Sequence, residues 1–190
     1  CWNEEMGVWN VAQLNRACVD GSISEVIKIS EGFQEKKIVS IAEIISAARD
    51  RIKLILISGP SASGKTTFTK RLAVQLRVCG LRPVAISLDN YYLDRANTPL
   101  NPDGTYDFES LEALDVELFN RHLTMLLEGQ EIDSPVFDFN KGIRRRDKFI
   151  RLKLEKGQVL ITEGIHCLNE KLSHVVSADN KFKIYASALT

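Results

Sequence analysis

Residues 54–66 decide the fold, and they read Leu54-Ile-Leu-Ile57-Ser-Gly59-Pro-Ser-Ala-Ser-Gly64-Lys65-Thr66. The apolar run at the start is typical of a strand buried on both faces of a parallel sheet. Phe68, Leu72 and Leu76 then repeat at helical spacing, and Gly80 predicts the end of that helix. A strand, a glycine-rich turn and a helix in this order predict the first unit of an α/β fold.

Further candidate strands and helices follow this unit. Val116, Phe119, Leu123 and Leu126 predict a helix that ends at Gly129. Residues 134–139 and 149–153 flank a basic turn and predict a β-hairpin. The remaining strand candidates are residues 83–86, expected to be buried, and residues 159–162 and 182–186, expected to be parallel. The alternation predicts a doubly wound parallel sheet with helices on both faces, preceded by a helical segment over residues 1–50.

The composition restricts the partners and the setting of the chain. Its 190 residues include 25 Lys and Arg and 25 Asp and Glu, so the net charge is zero. A neutral chain argues against nucleic acid or an acidic membrane as its main partner. No apolar run approaches the roughly 20 residues that span a bilayer. The cysteines lie far apart without a CxxC pair, which favours reduced thiols and a cytoplasmic setting: Cys1, Cys18, Cys79 and Cys167.

Residues 59–67, here named the phosphate loop, match the pattern G-x-x-x-x-G-K-[ST] at every fixed position. Backbone N–H groups in such a loop close around phosphate oxygens, and the following helix adds a favourable dipole. Lys65 would supply charge to the β- and γ-phosphates, and Thr66 would offer its hydroxyl to Mg²⁺. We therefore predict that a nucleoside triphosphate binds with Mg²⁺ at Gly59, Ser61, Ala62, Ser63, Gly64, Lys65, Thr66 and Thr67.

A phosphate loop does not by itself separate kinases from GTPases or motor ATPases. Asn140-Lys141 resembles the start of a guanine-reading Asn-Lys-x-Asp motif, but Ile143 stands where the aspartate is needed. Asp89 and Glu163 are more informative, because each follows a predicted strand at the edge where the phosphate loop opens. Asp89 could orient or deprotonate an attacking hydroxyl, and Glu163 could bind Mg²⁺ directly or through water. The alternative reading is that both simply cap turns.

Several segments in order resemble the uridine kinase and phosphoribulokinase family of P-loop kinases. They are residues 59–67, Asp89-Asn-Tyr-Tyr92, Tyr106-Asp-Phe-Glu109 with Leu114-Asp115, Pro135-Val-Phe-Asp-Phe139, and Thr162-Glu-Gly-Ile165. The resemblance covers about residues 51–186. Residues 1–50 resemble the tail of the synthetase-like N-terminal region that some bacterial members carry, which makes them a linker or the end of an upstream domain.

The resemblance implies transfer of the γ-phosphoryl group of ATP to a hydroxyl of a small molecule. It gives Lys65 and Asp89 the catalytic roles, with Asp89 as the base. Tyr91 and Tyr92 would shape the acceptor pocket, and Glu109 would hold sugar hydroxyls. Two polar groups that read the base in uridine kinases are replaced here, by Phe137 and Gly142, which predicts relaxed or altered acceptor specificity. The resemblance also implies that the predicted hairpin, residues 134–139 and 149–153, lies on the side of the sheet where the acceptor binds.

Three alternatives stay open at this point. The acceptor could be a sugar phosphate or a pantothenate-like alcohol, or the chain could be a non-catalytic ATP-binding module that signals through residues 1–50.

The basic cluster from Lys141 to Lys153 either meets an anionic acceptor or is a solvated hairpin. His122, among apolar neighbours, is predicted to be a packing residue.

The resemblance also bears on residues 187–190. In the family, a strand like residues 182–186 is followed by an arginine-rich lid and a final strand. Because only four residues remain here, we expect residues 51–190 to be a kinase domain that stops before the lid. A missing lid would lower turnover, and an unpaired sheet edge would favour self-association.

Overall fold

The computed structural model describes Glu4 and residues 6–187. Cys1 and residues 188–190, which entered the expectations above, lie outside the described residues. The chain divides into two compact units, residues 1–41 and 42–190. Helices α1 (Val11–Asp20) and α2 (Ile23–Ala47) account for most of the first unit, and α2 continues past the boundary. The helical N-terminal segment therefore agrees with the sequence, but the division falls within a helix and not at residue 50.

A four-stranded parallel sheet forms the centre of the second unit. Its strands are β1 (Leu54–Ser58), β2 (Arg82–Ala85), β5 (Gln158–Glu163) and β6 (Lys181–Tyr185), in the order β2-β5-β1-β6. All five residues of β1 are buried, as expected for a strand between two neighbours. Leu54 lies opposite Leu160 of β5 and Lys181 of β6, so the carboxyl ends of these strands reach the same edge.

Helices cover the two faces of this sheet, because neighbouring side chains of a strand point to opposite faces. Leu54, Leu56 and Leu160 share one buried cluster with residues of helix α4 (Val116–Leu127), namely Phe119, Leu123 and Leu126. Helix α3 (Lys65–Val78) contacts β1, β2 and β5 and buries its own Leu72 and Leu76 outside that cluster. The doubly wound α/β fold is therefore confirmed. No helix among the described residues is long and apolar enough to cross a membrane.

The predicted hairpin is present and longer than the sequence indicated. Strand β3 (Glu131–Asp138) pairs antiparallel with β4 (Ile143–Lys153), and the register shifts between Pro135 and Phe137. The hairpin packs against α4 and against a short 3₁₀ helix, Leu88–Tyr91, that follows β2. Ser134, Ile150 and Leu152 of the hairpin line one cleft with Glu163, which ends β5.

Strand β2 is less buried than the sequence predicted. It lies at the edge of the described sheet, and its residues are half-buried or exposed. Pro83 fits this place because proline has no N–H to donate and is tolerated on edge strands. Ile86, the residue after β2, is fully buried, and its N–H donates to Ile161 O at 3.0 Å.

Candidate functional site

The phosphate loop joins β1 to α3 in a conformation that small residues permit. Ala62 and Gly64 both have positive φ, +60° and +83°. At Gly59 the constraint is space, since a Cβ atom there would lie 2.0 Å from the carbonyl oxygen of Ala186. The N–H of Ala186 in turn donates to Ser58 O at 2.7 Å. The start of the loop is therefore held against the chain that follows β6.

Lys65 and Thr66, at the start of α3, point their polar atoms to the mouth of the loop. The Lys65 ammonium donates to the carbonyls of Gly59 and Pro60 at 2.9 and 2.7 Å. The Thr66 hydroxyl donates to Glu163 Oε1 at 2.6 Å. Glu163 reaches this position because it ends β5 in register with Ile57 of β1. The structure thus brings the two residues predicted to bind Mg²⁺ into direct contact.

This pair fits the chemistry of a magnesium site. Hydroxyl and carboxylate oxygens are the donors that Mg²⁺ takes, and in kinases the ion completes its shell with phosphate oxygens and water. Thr66 and Glu163 would therefore suffice as protein ligands, although the described residues hold no cluster of three or more His, Cys, Asp or Glu side chains suited to a metal. The Ser63 hydroxyl, buried without a partner among the described residues, is a further donor for phosphate.

Asp89 lies in the first turn of the 3₁₀ helix that follows β2. Part of its side chain is exposed, but the surrounding protein is dense enough that burial raises the pKa of its carboxyl. The negative charge of Glu163 raises that pKa further, and the Lys65 ammonium opposes both effects. The three charged groups are therefore close enough to interact, and a carboxyl with a raised pKa is suited to accept a proton.

Aromatic residues adjoin Asp89 on the side of the hairpin. The Tyr92 ring packs on Phe137 and Phe139, with centroids 5.9 and 6.3 Å away. Burial raises the pKa of Tyr92, and the nearby carboxylates of Asp89 and Glu109 add to the shift. We name this surface the acceptor face and define it as Tyr92, Glu109, Phe137 and Phe139. Three of the residues predicted to contact the substrate meet here.

A cleft beneath the hairpin opens next to these groups. Its volume is about 240 Å³, and Thr66 and Glu163 form part of its wall. Apolar side chains form much of the remainder: Ile86, Ile150, Leu152 and Ile161. Space of this kind next to the proposed metal ligands is where a small molecule could approach the phosphate loop.

Comparison with models of protein families places most of the chain in one family. Residues 54–188 match the model of the phosphoribulokinase / uridine kinase family. The chain belongs to this family. The family resemblance predicted from the ordered motifs is thereby confirmed.

The chain is also similar to individual proteins from other organisms. The chain is 30% identical over 115 residues to a uridine kinase of Halobacterium salinarum, which covers 60% of this chain and 48% of that protein. It is also 30% identical over 151 residues to inorganic pyrophosphatase TTM2 of Arabidopsis thaliana, covering 80% of this chain and 20% of that protein. The chain thus spans about half the length of that uridine kinase.

A solved structure shows the same fold. It is that of a "possible uridine kinase" from Bacillus stearothermophilus, with a TM-score of 0.56 and 21% sequence identity. The match covers 71% of this chain and 70% of that chain. At this level of identity the likeness concerns the fold alone.

Tyr91 does not take the place that the family resemblance implied. Its side chain is fully buried, and its hydroxyl forms a hydrogen bond of 2.8 Å with His122 Nδ1. The ring meets Phe119 edge-on at 5.0 Å. Neighbouring residues of a short turn point in different directions, so Tyr92 reaches the acceptor face while Tyr91 supports it from the core. His122 is a packing residue, as predicted.

The sequence did not single out two side chains that position the acceptor face in this family member. Asn90 accepts a hydrogen bond from the N–H of Phe137 at 3.1 Å and thereby holds the hairpin. Arg144 donates to the carbonyls of Tyr91 and Tyr92, both at 2.8 Å, and to Asp115 at 2.9 Å. Asn90 lies inside a quoted motif, but Arg144 gave no signal beyond its membership of a basic run.

Proposed function

We propose that this protein is an ATP-dependent phosphotransferase that moves the γ-phosphoryl group of ATP to a hydroxyl of a small molecule, in the manner of a uridine kinase. One observation supports this most directly: the Thr66 hydroxyl contacts Glu163 beside the phosphate loop, and Asp89 is close enough to interact with both Glu163 and Lys65. Family membership and the names of relatives agree with the proposal.

The proposed site divides the work between the loop and the two carboxylates. Loop N–H groups and Lys65 bind the phosphates, and Thr66 and Glu163 hold Mg²⁺, which neutralises charge on the transferred group when it is bound. Asp89 orients the acceptor hydroxyl and takes its proton. The acceptor oxygen then bonds to the γ-phosphorus as the bond to the β–γ bridging oxygen breaks, and ADP leaves. The raised pKa of Asp89 brings its basicity nearer to neutral pH.

The acceptor is proposed to lie across the acceptor face. Glu109 can accept hydrogen bonds from sugar hydroxyls, and the rings of Tyr92 and Phe137 offer flat apolar surface to a base or to another hydrophobic group. The uridine kinase relatives support a nucleoside. Phe137 and Gly142 provide no hydrogen-bonding side chains, which favours relaxed specificity and keeps sugar phosphates and pantothenate-like alcohols as alternative acceptors.

A screen for ADP release tests this function. The protein is incubated with MgATP and, one at a time, with nucleosides, sugar phosphates and pantothenate, and Lys65→Ala serves as the inactive control. The proposal expects acceptor-dependent ADP release that is lost in the control. ATP binding without ADP release for every acceptor would contradict it and would favour the regulatory alternative.

A further inference from the structure

A guanidinium group lies beside the turn of the hairpin, on a loop that follows Tyr92. Arg95 begins a short 3₁₀ helix, Arg95–Asn97, and its N–H donates to the carbonyl of Gly142 at 2.8 Å. Gly142 is buried in the turn between β3 and β4 and has a φ of +66°. The two segments are thus joined through their backbones.

The Arg95 side chain fills the space that any side chain at position 142 would need. A Cβ atom on Gly142 would lie 2.7 Å from Arg95 Nε and 2.9 Å from Cζ, closer than such atoms approach in proteins. The positive φ disfavours a side chain there as well. A guanidinium at this place and a side chain at position 142 therefore exclude each other.

The backbone of Arg95 is fixed while its charge is free to bind a ligand. Arg95 itself bonds to Gly142, and the carboxylate of the preceding residue, Asp94, accepts a hydrogen bond from the N–H of Arg144 at 2.7 Å. The loop is therefore tied to β4. Among the residues that the structure describes, no carboxylate or carbonyl pairs with the Arg95 guanidinium, which is exposed. Two arginines of the hairpin differ, since Arg145 pairs with Asp147 and Arg151 with Asp133.

This free guanidinium contacts Gly142, which follows the acceptor-face residue Phe139 in the hairpin turn. Tyr92, which packs on Phe139, lies three residues before Arg95, and Phe139 lies three residues before Gly142. Both segments lead from the aromatic contact directly to the Arg95–Gly142 contact. The aromatic rings of Phe137 and Phe139 carry no hydrogen-bonding group, whereas the Arg95 guanidinium carries several N–H donors.

We propose that Arg95 determines acceptor specificity by binding an anionic group of the acceptor, a carboxylate or a phosphate; this inference rests on the kinase function proposed above. A guanidinium presents a planar fork of N–H donors that matches both anions, and a backbone held in place reduces the cost of ordering it. Because the whole chain carries no net charge, selection for an anion has to come from a local group of this kind.

Matched acceptor pairs test the inference. Pantothenate is compared with panthenol, its neutral alcohol, and ribulose 5-phosphate with ribulose, with uridine as the neutral nucleoside. Charge-assisted hydrogen bonds predict that kcat/KM favours at least one anionic member by about 10- to 100-fold. Arg95→Ala should abolish that preference mainly through KM, and should leave turnover of the neutral member intact. The pair that shows the preference tells whether the anion is a carboxylate or a phosphate.

Variants and a second readout make each outcome decisive. Arg145→Ala removes an exposed arginine of the same hairpin and should keep the preference; Arg95→Gln, which retains the length of the side chain, replaces Arg95→Ala if that variant does not fold. The inference is overturned if the parent protein prefers neutral acceptors and Arg95→Ala does not change that preference. If no acceptor is phosphorylated, the proposed function fails, and calorimetry with pantothenate and ribulose 5-phosphate decides the inference separately. Binding that Arg95→Ala loses supports it, and no binding refutes it.

Discussion

Lys65 and Asp89 bring opposite charges to one edge of the sheet, and their surroundings differ. Lys65 is held by two carbonyls of its own loop, Gly59 and Pro60. Asp89 has the carboxylate of Glu163 nearby as well as the Lys65 ammonium, so its charged form is disfavoured. At the scale of single residues, hydrogen bonds therefore hold the Lys65 ammonium in one position, and the Asp89 carboxylate binds a proton more readily than an ordinary aspartate does.

Replacement of Lys65 by alanine tests the phosphate loop. Loss of a charge-assisted contact should weaken ATP binding by about 10- to 100-fold, while the core, which Lys65 does not enter, stays folded. Calorimetry measures the affinity, and circular dichroism checks the fold. Lys156→Ala, at the opposite edge of the sheet, is the matched control and should bind ATP like the parent. Equal affinity in Lys65→Ala and the parent would remove the loop from the site.

Replacement of Asp89 by asparagine tests the proposed base. Turnover should fall by about 10²-fold or more while ATP affinity persists, since only the proton acceptor is lost. In the parent, activity should fall with acid at a pH above the ordinary carboxyl value of 3.8, because the pKa of Asp89 is raised. A parent profile with its acidic limb below that value, or turnover unchanged in the variant, would contradict the assignment.

The same substitution has a predicted effect on stability. A carboxyl whose folded pKa is raised binds more protons when folded, so stability falls as pH rises from the unfolded to the folded pKa, and the penalty remains above that window. Asp89→Asn removes the penalty and should leave the free energy of unfolding at neutral pH equal or higher.

Arg144 joins three elements: the loop after β2, the start of α4 and strand β4. Its contacts are the carbonyls of Tyr91 and Tyr92 and the Asp115 carboxylate, which also caps α4 by accepting from Leu118 N–H. Hydrogen bonding to the backbone and to Arg144 holds the pKa of Asp115 below its ordinary value despite its partial burial. Arg144 is thus committed to structure and is not available as a catalytic arginine.

Arg144→Ala should therefore lower the free energy of unfolding by about 2–3 kcal/mol, as expected when charge-assisted bonds are lost and their acceptors left partly buried. Arg145→Ala, whose exposed ion pair with Asp147 contributes little, should lower it far less. Urea unfolding of both variants measures the difference. Equal losses in the two variants would show that Arg144 is not the joint described here.

His122 makes the packing of α4 against the Tyr91 turn sensitive to acid. Burial lowers its pKa, with Arg121 adding to that effect and Arg144 acting the same way, while Asp115 and Asp133 oppose them. Since the unfolded chain binds the proton more readily, stability is fully present above the ordinary value of 6.5 and falls as pH drops towards the folded pKa.

A comparison of the parent with His122→Gln isolates this effect from other titrating groups. Between about pH 7.5 and about pH 5.5, the urea midpoint of the parent should fall more than that of the variant. The same decrease in both proteins would mean that the pKa of His122 does not differ between the folded and unfolded chains.

The elements that the sequence predicted are those specified by local pattern. The apolar run of residues 54–57 predicted β1, and the helical spacing of apolar residues predicted α3. Both could be predicted because the pattern of apolar residues lies within a single segment. What the sequence missed depends on contacts between distant segments: the edge position of β2, the burial of Tyr91, and the meeting of Arg95 with Gly142. Asp89, Glu163 and the phosphate loop could be proposed as site residues from the sequence, because they follow strands whose ends the fold must bring together.

At the scale of the whole molecule, the site belongs to one of the two units. Every residue given a role above lies after position 58, and the family match begins at residue 54. The helices of residues 1–41 contribute none of them. The unit of residues 42–190 thus contains the full set of groups that the proposed chemistry uses.

Deletion of residues 1–41 should accordingly leave a folded protein that binds ATP with the affinity of the parent. Circular dichroism and calorimetry measure fold and affinity, and the ADP screen applied to both forms compares turnover. Lys65→Ala in the shortened chain confirms that the same loop is responsible. A loss of ATP binding on deletion would instead support the reading in which residues 1–50 and nucleotide occupancy are linked.

The contact between Gly59 and the Ala186 carbonyl has a consequence for how such sequences are interpreted. Selection can retain this glycine for a steric reason that exists with or without nucleotide, because any larger residue would push apart two segments of the sheet edge. A descendant protein that had lost its activity would keep Gly59 long after Lys65 and Thr66 had been replaced by other residues. In lineages of this fold, the ammonium and hydroxyl positions, and not the first glycine, are therefore the ones that record whether catalysis survives.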